Sequence, residues 1–331
     1  MNAIRRQAPG RGRECRPGPF SVRGKLLRLV WGFCLCLAVC SPVRTEASAQ
    51  PAQEDLPGLD RGPLPEIVWS GLRPGLELGL APLSAKGEGD ACCVFLRFAP
   101  RLFSFGLYMA SADGAAHSLR GWAEKGDLLA GINAGMYLPD QLTSIGLMRT
   151  RGHVNNGRPG SRLGGFFVSD PGERGLPPAD ILEHDVEGWE SRLNRYGQAV
   201  QNYRLINGRG RILWPEGGQA HSIAAVGKDR QGRILFILGQ QPLPAATFAR
   251  LLKRFPLDLG PVLYVEGGAQ AGLFVRETGR GAMPSRPGAS SHAQGDGVIH
   301  VWKGRLDLLR TRGNPDAPLP NIIGVRALGK R

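Results

Sequence analysis

Beyond its first 40 residues the sequence has almost no cysteine. Four of the six, Cys15, Cys34, Cys36 and Cys40, lie in that stretch, and only Cys92 and Cys93 follow it. Adjacent residues rarely meet disulfide geometry, and in a strand they point to opposite faces. A small disulfide-stapled scaffold is thereby excluded, and apolar burial is the plain expectation for "ACCVFLRF". The six histidines are scattered, with no HExxH or paired spacing, so a dedicated zinc site is not expected. There is no GxxxxGK[ST] phosphate loop, no GxGxxG between a strand and a helix, and no GxSxG nucleophile elbow. No cofactor is expected, and the sequence leaves a divalent cation open. The one marked apolar stretch near the start, "LVWGFCLCLAVC" at 29–40, is shorter than the roughly 20 residues of a membrane-crossing helix.

What the beginning does hold is a basic leader running from Arg5 to Arg28, that apolar stretch, and Ala47 and Ala49 in an A-x-A arrangement. This reads as a secretory signal over residues 1–49, and the expected location is periplasmic or secreted. An uncleaved leader would be the one route to a membrane. "LAVC" has the outline of a lipoprotein signal, but Val39 sits where a small residue is wanted. Nine of the 42 Lys/Arg and two of the 28 Asp/Glu lie in the leader, so half of the formal +14 leaves with it. The remaining charge forms no stripe with interleaved aromatics, and no nucleic-acid partner is expected.

Residues 50–65, with four prolines, read as a linker, and 66–330 as the folded domain. Short strands are expected at "EIVWSGL", "LELGLAPL", "ACCVFLRFAP", "FSFGLYMAS", "LLAGINAGMYL", "GLMRTRGHVNNGR" and "GGFFVSD". "LRGWAEKG" reads as a short helix or turn. Residues 171–196 are polar and poorly periodic, which predicts an irregular excursion or a short helix around Trp189. "YRLINGRGRILW" carries an Asn207–Gly208 hairpin signal, and "SIAAVGKDRQGRILFILG" repeats the form with "KDRQG" as its turn. In "AATFARLLKRF" Phe248, Leu251, Leu252 and Phe255 fall at i, i+3, i+4 and i+7, and Pro256 stops the helix. That helix would join two strands as a strand–helix–strand unit. "GVIHVWKG" and "NIIGV" close the chain as strands. The expected class is α+β, with mixed, mostly antiparallel twisted sheets and a few short helices. They would form a single compact domain or one of two similar halves.

The residues with chemical potential are polar groups set in glycine-rich apolar segments. Glu266 ends the apolar run "VLYVEGGAQAGLF", and Gly267 and Gly268 would let a backbone come close to a ligand. It is either a solvent-facing turn residue or a carboxylate held at the mouth of a site. Asn133, between Gly131 and Gly135, either caps a turn or faces a ligand. Asp140 reads as a cap or turn residue, and His221 stands at a strand entry. Arg97 interrupts an apolar strand and asks for a partner or an anionic ligand.

Taken in order, "GINAGMYLPDQLTSIGLMRTRGHV", "YRLINGRGRI", "HSIAAVGKDRQGRILFILG", "LLKRFPLDLGPVLYVEGGAQAGLFV" and "LPNIIGVR" resemble the phosphodiester glycosidase domain family over about residues 90–328. Asn133 matches the family's motif asparagine and Glu266 its motif aspartate. Glu266 is one methylene longer than the usual residue, Ala269 and Gln270 stand where many members have glycine and serine, and His221 stands where arginine is frequent. The resemblance implies hydrolysis between an anomeric carbon and a phosphodiester, on a carbohydrate or phosphoglycan substrate. In that reaction Glu266 would be an acid/base or nucleophile-like carboxylate, and Asn133 would hold a sugar hydroxyl or phosphate oxygen. His221 would bind phosphate or relay a proton. Asp140, ahead of Asp258, would be the second carboxylate, and Arg97, Gly267 and Gly268 would contact substrate. The alternatives are an envelope protein that binds a glycan in the same groove without cutting it, and a purely structural exported domain.

Overall fold

The computed structural model describes residues 66–82, 92–276, 299–300, 306–310 and 316–328. The expected signal (1–49) and linker (50–65) lie outside the described residues, as does most of "GVIHVWKG". The strands are β1 (Val68–Arg73), β2 (Leu76–Pro82), β3 (Cys92–Phe98) and β4 (Phe103–Met109), followed by helices α1 (Ala110–Asp113) and α2 (Leu119–Lys125). Next come β5 (Ala130–Asn133), β6 (Met148–Arg149), β7 (Val154–Asn156), β8 (Gly165–Pro171) and β9 (Ala179–Glu183). Helix α3 (Trp189–Leu193), β10 (Tyr196–Ile206), β11 (His221–Asp229), β12 (Ile234–Leu243) and helix α4 (Ala245–Arg254) lead to β13 (Leu259–Gly267). The last strands are β14 (Gly272–Arg276), β15 (Ile299–His300), β16 (Leu306–Arg310) and β17 (Asn321–Ala327).

These make an α+β fold of two sheets with few, short helices. The larger sheet has eleven strands and runs β1-β2-β3-β12-β11-β13-β10-β6-β7, with β8 joined to the other edge of β10 and β9 beyond it. The smaller runs β15-β16-β14-β5-β17-β4. Each recorded strand pair is antiparallel. Since β12 and β13 both pair antiparallel with β11, they run parallel to each other, and α4 is the crossover between them.

Alternation along the central strands explains the layering. Val94, Leu96 and Phe98 on β3 and Phe236 and Leu238 on β12 meet Leu273, Val275, Ile323 and Val325 of the smaller sheet in the core between the sheets. The intervening Phe95, Leu235 and Ile237 turn outward under α4, where Phe248, Leu251 and Leu252 cover them. Buried on both faces, these strands read as continuous apolar runs. Each large α4 side chain contributes roughly 1.5–3 kcal/mol by leaving water. On the far side of the smaller sheet, Leu119 and Trp122 of α2 pack against Phe274 and Ile322.

Two local expectations change. The stretch 171–196 contains α3 beside Trp189, but also the fully buried strand β9. Its polar members Asp180 and Glu183 hide it, because Lys228 and Arg192 neutralise the first and Arg204 the second. The Asn207–Gly208 hairpin is a wider turn. The Asn207 carboxamide oxygen accepts from the N–H groups of Arg209 and Arg211, and Gly210 supplies the left-handed residue.

Candidate functional site

Glu266 stands at the end of β13, where the strand leaves the sheet. It is 7% exposed. The ladder to β11 slips here: Ala225 faces Tyr264 but Ala224 faces Glu266, so Val265 is an extra residue in a bulge. A bulge re-aims a side chain. Ala225 and Tyr264 belong to the outer core, whereas Ala224, the partner of Glu266, belongs to the core between the sheets. Glu266 thereby breaks the alternation that a regular strand would have imposed.

Burial pushes the Glu266 carboxyl up to about 7, against a small downward pull from the Gly267 N–H, which donates to Oε1 at 2.9 Å. Two phenols feel this carboxylate. Burial, and then the charge on Glu266, raise Tyr137 to about 12 and raise Tyr264 further. The two glycines after Glu266 are required for different reasons. A Cβ on Gly267 would lie 1.9 Å from the Tyr264 hydroxyl, and Gly268 has φ +71°. The first makes room for the phenol and the second turns the chain.

Asn133, 2% exposed at the end of β5, clamps that turn. Its Nδ2 donates to the Gln270 carbonyl at 3.1 Å, and its Oδ1 accepts from the Gly272 N–H at 2.8 Å. Tyr137 donates its hydroxyl to the Gln270 side-chain oxygen. Gln270, where the family resemblance expects serine, thus ties Asn133 and Tyr137 to the loop that follows Glu266. The segment before Tyr137 is pinned in turn: Asn202 Nδ2 donates to the Ala134 carbonyl, and the Gly135 N–H donates to Asn321 Oδ1. Asn133 therefore acts on the position of the turn, with both ends of its carboxamide engaged by backbone.

His221 is exposed at the start of β11, with its Nδ1 4.0 Å from where a Gly268 Cβ would lie. His221 and Tyr264 together form one end of a cleft of about 770 Å³, within the roughly 300–1,000 Å³ common for ligand sites. Glu266 is behind that end and does not line the cleft. Trp214 packs on Tyr264 (ring centroids 4.8 Å) and on Tyr203 (5.6 Å), giving the cleft an aromatic wall. Arg162, Arg204 and His184 stand along the same cleft.

The other expected residues lie elsewhere. Asp140 is exposed and spends both oxygens on its own loop, accepting from the Leu142 and Thr143 N–H groups and the Thr143 hydroxyl; these bonds hold its carboxyl below the usual range. Asp258 pairs with Arg230 at the opposite end of β13, about 26 Å along the strand from Glu266. Arg97 has the partner that it asked for: its Nε donates to Glu77 at 2.8 Å and its guanidinium lies 3.8 Å over the Trp69 ring. Its register through Leu235 and Gly227 to Val262 puts it roughly 20 Å from Glu266. No carboxylate charge among the described residues acts on Glu266. Nor do the described residues contain a group of three or more His, Cys, Asp or Glu suited to a metal ion.

Sequence reasoning missed Tyr137, Tyr264, Trp214 and His184. Tyr264, two residues before Glu266, and Tyr137, four after Asn133, carried a signal in their spacing. Trp214 and His184 carried none, since distant strands bring them in.

No family model matches the sequence, and no curated protein does. Among solved structures, a hypothetical protein from Synechocystis aligns at 12% identity and TM-score 0.52, over 80% of this chain. The chain spans 64% of that protein's length. At this identity the likeness is one of fold. The catalytic domain of a zebrafish N-acetylglucosamine-1-phosphodiester alpha-N-acetylglucosaminidase, auto-inhibited by its pro-peptide, aligns at 10% identity and TM-score 0.47, over 81% of this chain and 85% of that one.

Proposed function

We propose that the protein hydrolyses a glycosyl phosphodiester, with Glu266 as the general acid. The observation that carries this reading is a carboxyl, buried and raised to about 7, behind the end of an aromatic cleft. A protonated carboxyl near neutrality can donate, and a catalytic pKa near the working pH serves proton transfer best. The leaving group fits the donor. Breaking the bond from the anomeric carbon to oxygen releases a phosphate monoester, whose second pKa is about 6. The Glu266 proton passes to that oxygen as the bond pair leaves with it. Water then adds to the oxocarbenium-like carbon, and its proton goes to His221 or to solvent. Tyr264 lines the cleft and its hydroxyl overhangs Gly267, next to Glu266 in the chain, and we assign to it the proton's route from Glu266 to the cleft. Asn133 and Gln270 keep the turn in place.

That no carboxylate among the described residues acts on Glu266 supports the alternative, a binding protein that holds the glycan without cutting it. One experiment separates the two. The full chain and Glu266→Gln are incubated with glucose-1-phosphate methyl diester, and the released phosphate monoester is measured along with ligand affinity. Turnover that falls by more than about 100-fold in Glu266→Gln with affinity kept supports hydrolysis. Equal affinity with no turnover in either protein supports binding alone.

A further inference from the structure

We propose that Ser111 and His153 form a second reactive centre, a nucleophile with its base, that hydrolyses esters of small acyl groups. It stands apart from the Glu266 reading, and none of its residues lines the cleft. Ser111 sits in α1, which follows β4 directly. His153 sits in the tight turn between β6 and β7, where its carbonyl accepts from the Thr150 N–H at 2.8 Å. The fold brings Ser111 Oγ to 2.9 Å from His153 Nε2. That is within the roughly 2.6–3.2 Å at which a base can take a nucleophile's proton. Both residues are partly exposed, so a reagent can reach them.

Asn155 fixes the direction of this contact. The Ser144 N–H donates to its Oδ1 at 2.7 Å, which sets the other end of the carboxamide as the donor. Nδ2 gives one hydrogen to the Leu142 carbonyl at 3.0 Å and one to Ser111 Oγ at 2.7 Å. Ser111 thus accepts on one side and keeps its own proton for Nε2, in the tautomer that carries hydrogen on Nδ1. Here the third group holds the nucleophile, where a Ser–His–Asp triad holds the base. Asp113, two residues on from Ser111, is committed to His117 and Lys125. The reaction needs only this pair and water. Oγ bonds to the ester carbonyl carbon as its proton passes to Nε2. The bond from that carbon to the alcohol oxygen then breaks, and the alcohol leaves with the proton. Water adds to the acyl-serine and loses a proton to Nε2, and the acid departs as Oγ takes that proton back. The acyl group must be small: the centre is open, and Leu142, 40% exposed, is the apolar residue tied next to it through Asn155.

The test treats the full chain with diisopropyl fluorophosphate, locates the adduct by peptide mass spectrometry, and follows p-nitrophenyl acetate hydrolysis before and after. The expected result is a single diisopropylphosphoryl group on Ser111, with fluoride released and ester turnover lost. Labelling is read on the unaltered protein, so a misfolded variant cannot imitate it. Ser111→Ala and His153→Gln should each lower ester turnover by at least about tenfold, while Glu266→Gln should leave it unchanged. No adduct, or an adduct on another residue, would overturn the centre. So would ester turnover that persists in either variant, because nucleophile and base would then not be acting as a pair. Release of phosphate monoester from glucose-1-phosphate methyl diester should be the same in Ser111→Ala as in the wild type, so this centre and the Glu266 reading fail separately.

Discussion

Replacing Glu266 with glutamine should make the protein more stable above neutral pH, which is unusual for the loss of a charged side chain. The carboxyl goes from an ordinary 4.5 to about 7 because burial penalises the ionised form. Between these values the unfolded chain has released the proton and the native protein still holds it. The unfolded state then binds fewer protons, so stability falls as pH rises from 4.5 to about 7 and levels off above. At about 1.4 kcal/mol for each pH unit, the wild type should lose about 3 kcal/mol over that window. Glutamine has nearly the same shape, still offers an oxygen to the Gly267 N–H, and does not titrate. The assay is urea unfolding of both proteins at pH 4 and pH 8, read as the difference between them, which cancels every other titrating group. The two should agree within about 1 kcal/mol at pH 4. At pH 8 the variant should lead by about 3 kcal/mol, a midpoint shift of roughly 1 M urea or more. Parallel behaviour at both pH values would falsify the claim that Glu266 is held in a desolvated site.

The same group sets the expected activity profile: as a general acid it should lose turnover as pH rises through about 7, and rate–pH curves on the methyl diester check the direction. Asn133→Ala removes two hydrogen bonds from a buried position and should cost about 2–4 kcal/mol in urea unfolding. Because the residue positions the turn, kcat should fall more than KM changes. Arg97→Ala and Glu77→Ala, measured singly and together by unfolding, should show a coupling of about 0.5–1 kcal/mol, reflecting a partly exposed pair. Additive losses would mean that the pair contributes nothing.

Much of the fold was legible because local signals agreed with long-range packing. The i, i+3, i+4, i+7 pattern around Phe248 gave α4, and the glycine-punctuated apolar runs gave most strands. β9 was not legible, since Asp180 and Glu183 stand near either end of a five-residue strand and their cationic partners Lys228 and Arg204 are far along the chain. At the site, Glu266 announced itself as a charge within an apolar strand. Its bulge did not, because the slip is a relation between β11 and β13 that neither strand reveals alone. Arg97 gave the same kind of signal as Glu266 but was answered by Glu77, twenty residues earlier, and by Trp69. A charge in an apolar run marks a need for a partner; only the tertiary structure says whether another side chain has already met it.

The clamp from Asn133 has a consequence for how the site comes into being. Its partners lie 137 and 139 residues further along the chain, and β5 is flanked by β14 and β17, both from the C-terminal part. Contacts of such sequence separation form late, since their closure entropy must be met before they stabilise anything. A growing chain that has completed everything through β12 carries Tyr203 on β10 and His221 on β11, but it still lacks β13, the strand that joins those two and brings both Tyr264 and Glu266. The cleft wall and the buried carboxyl would therefore be installed together, and a chain that stops short of β13 would have neither.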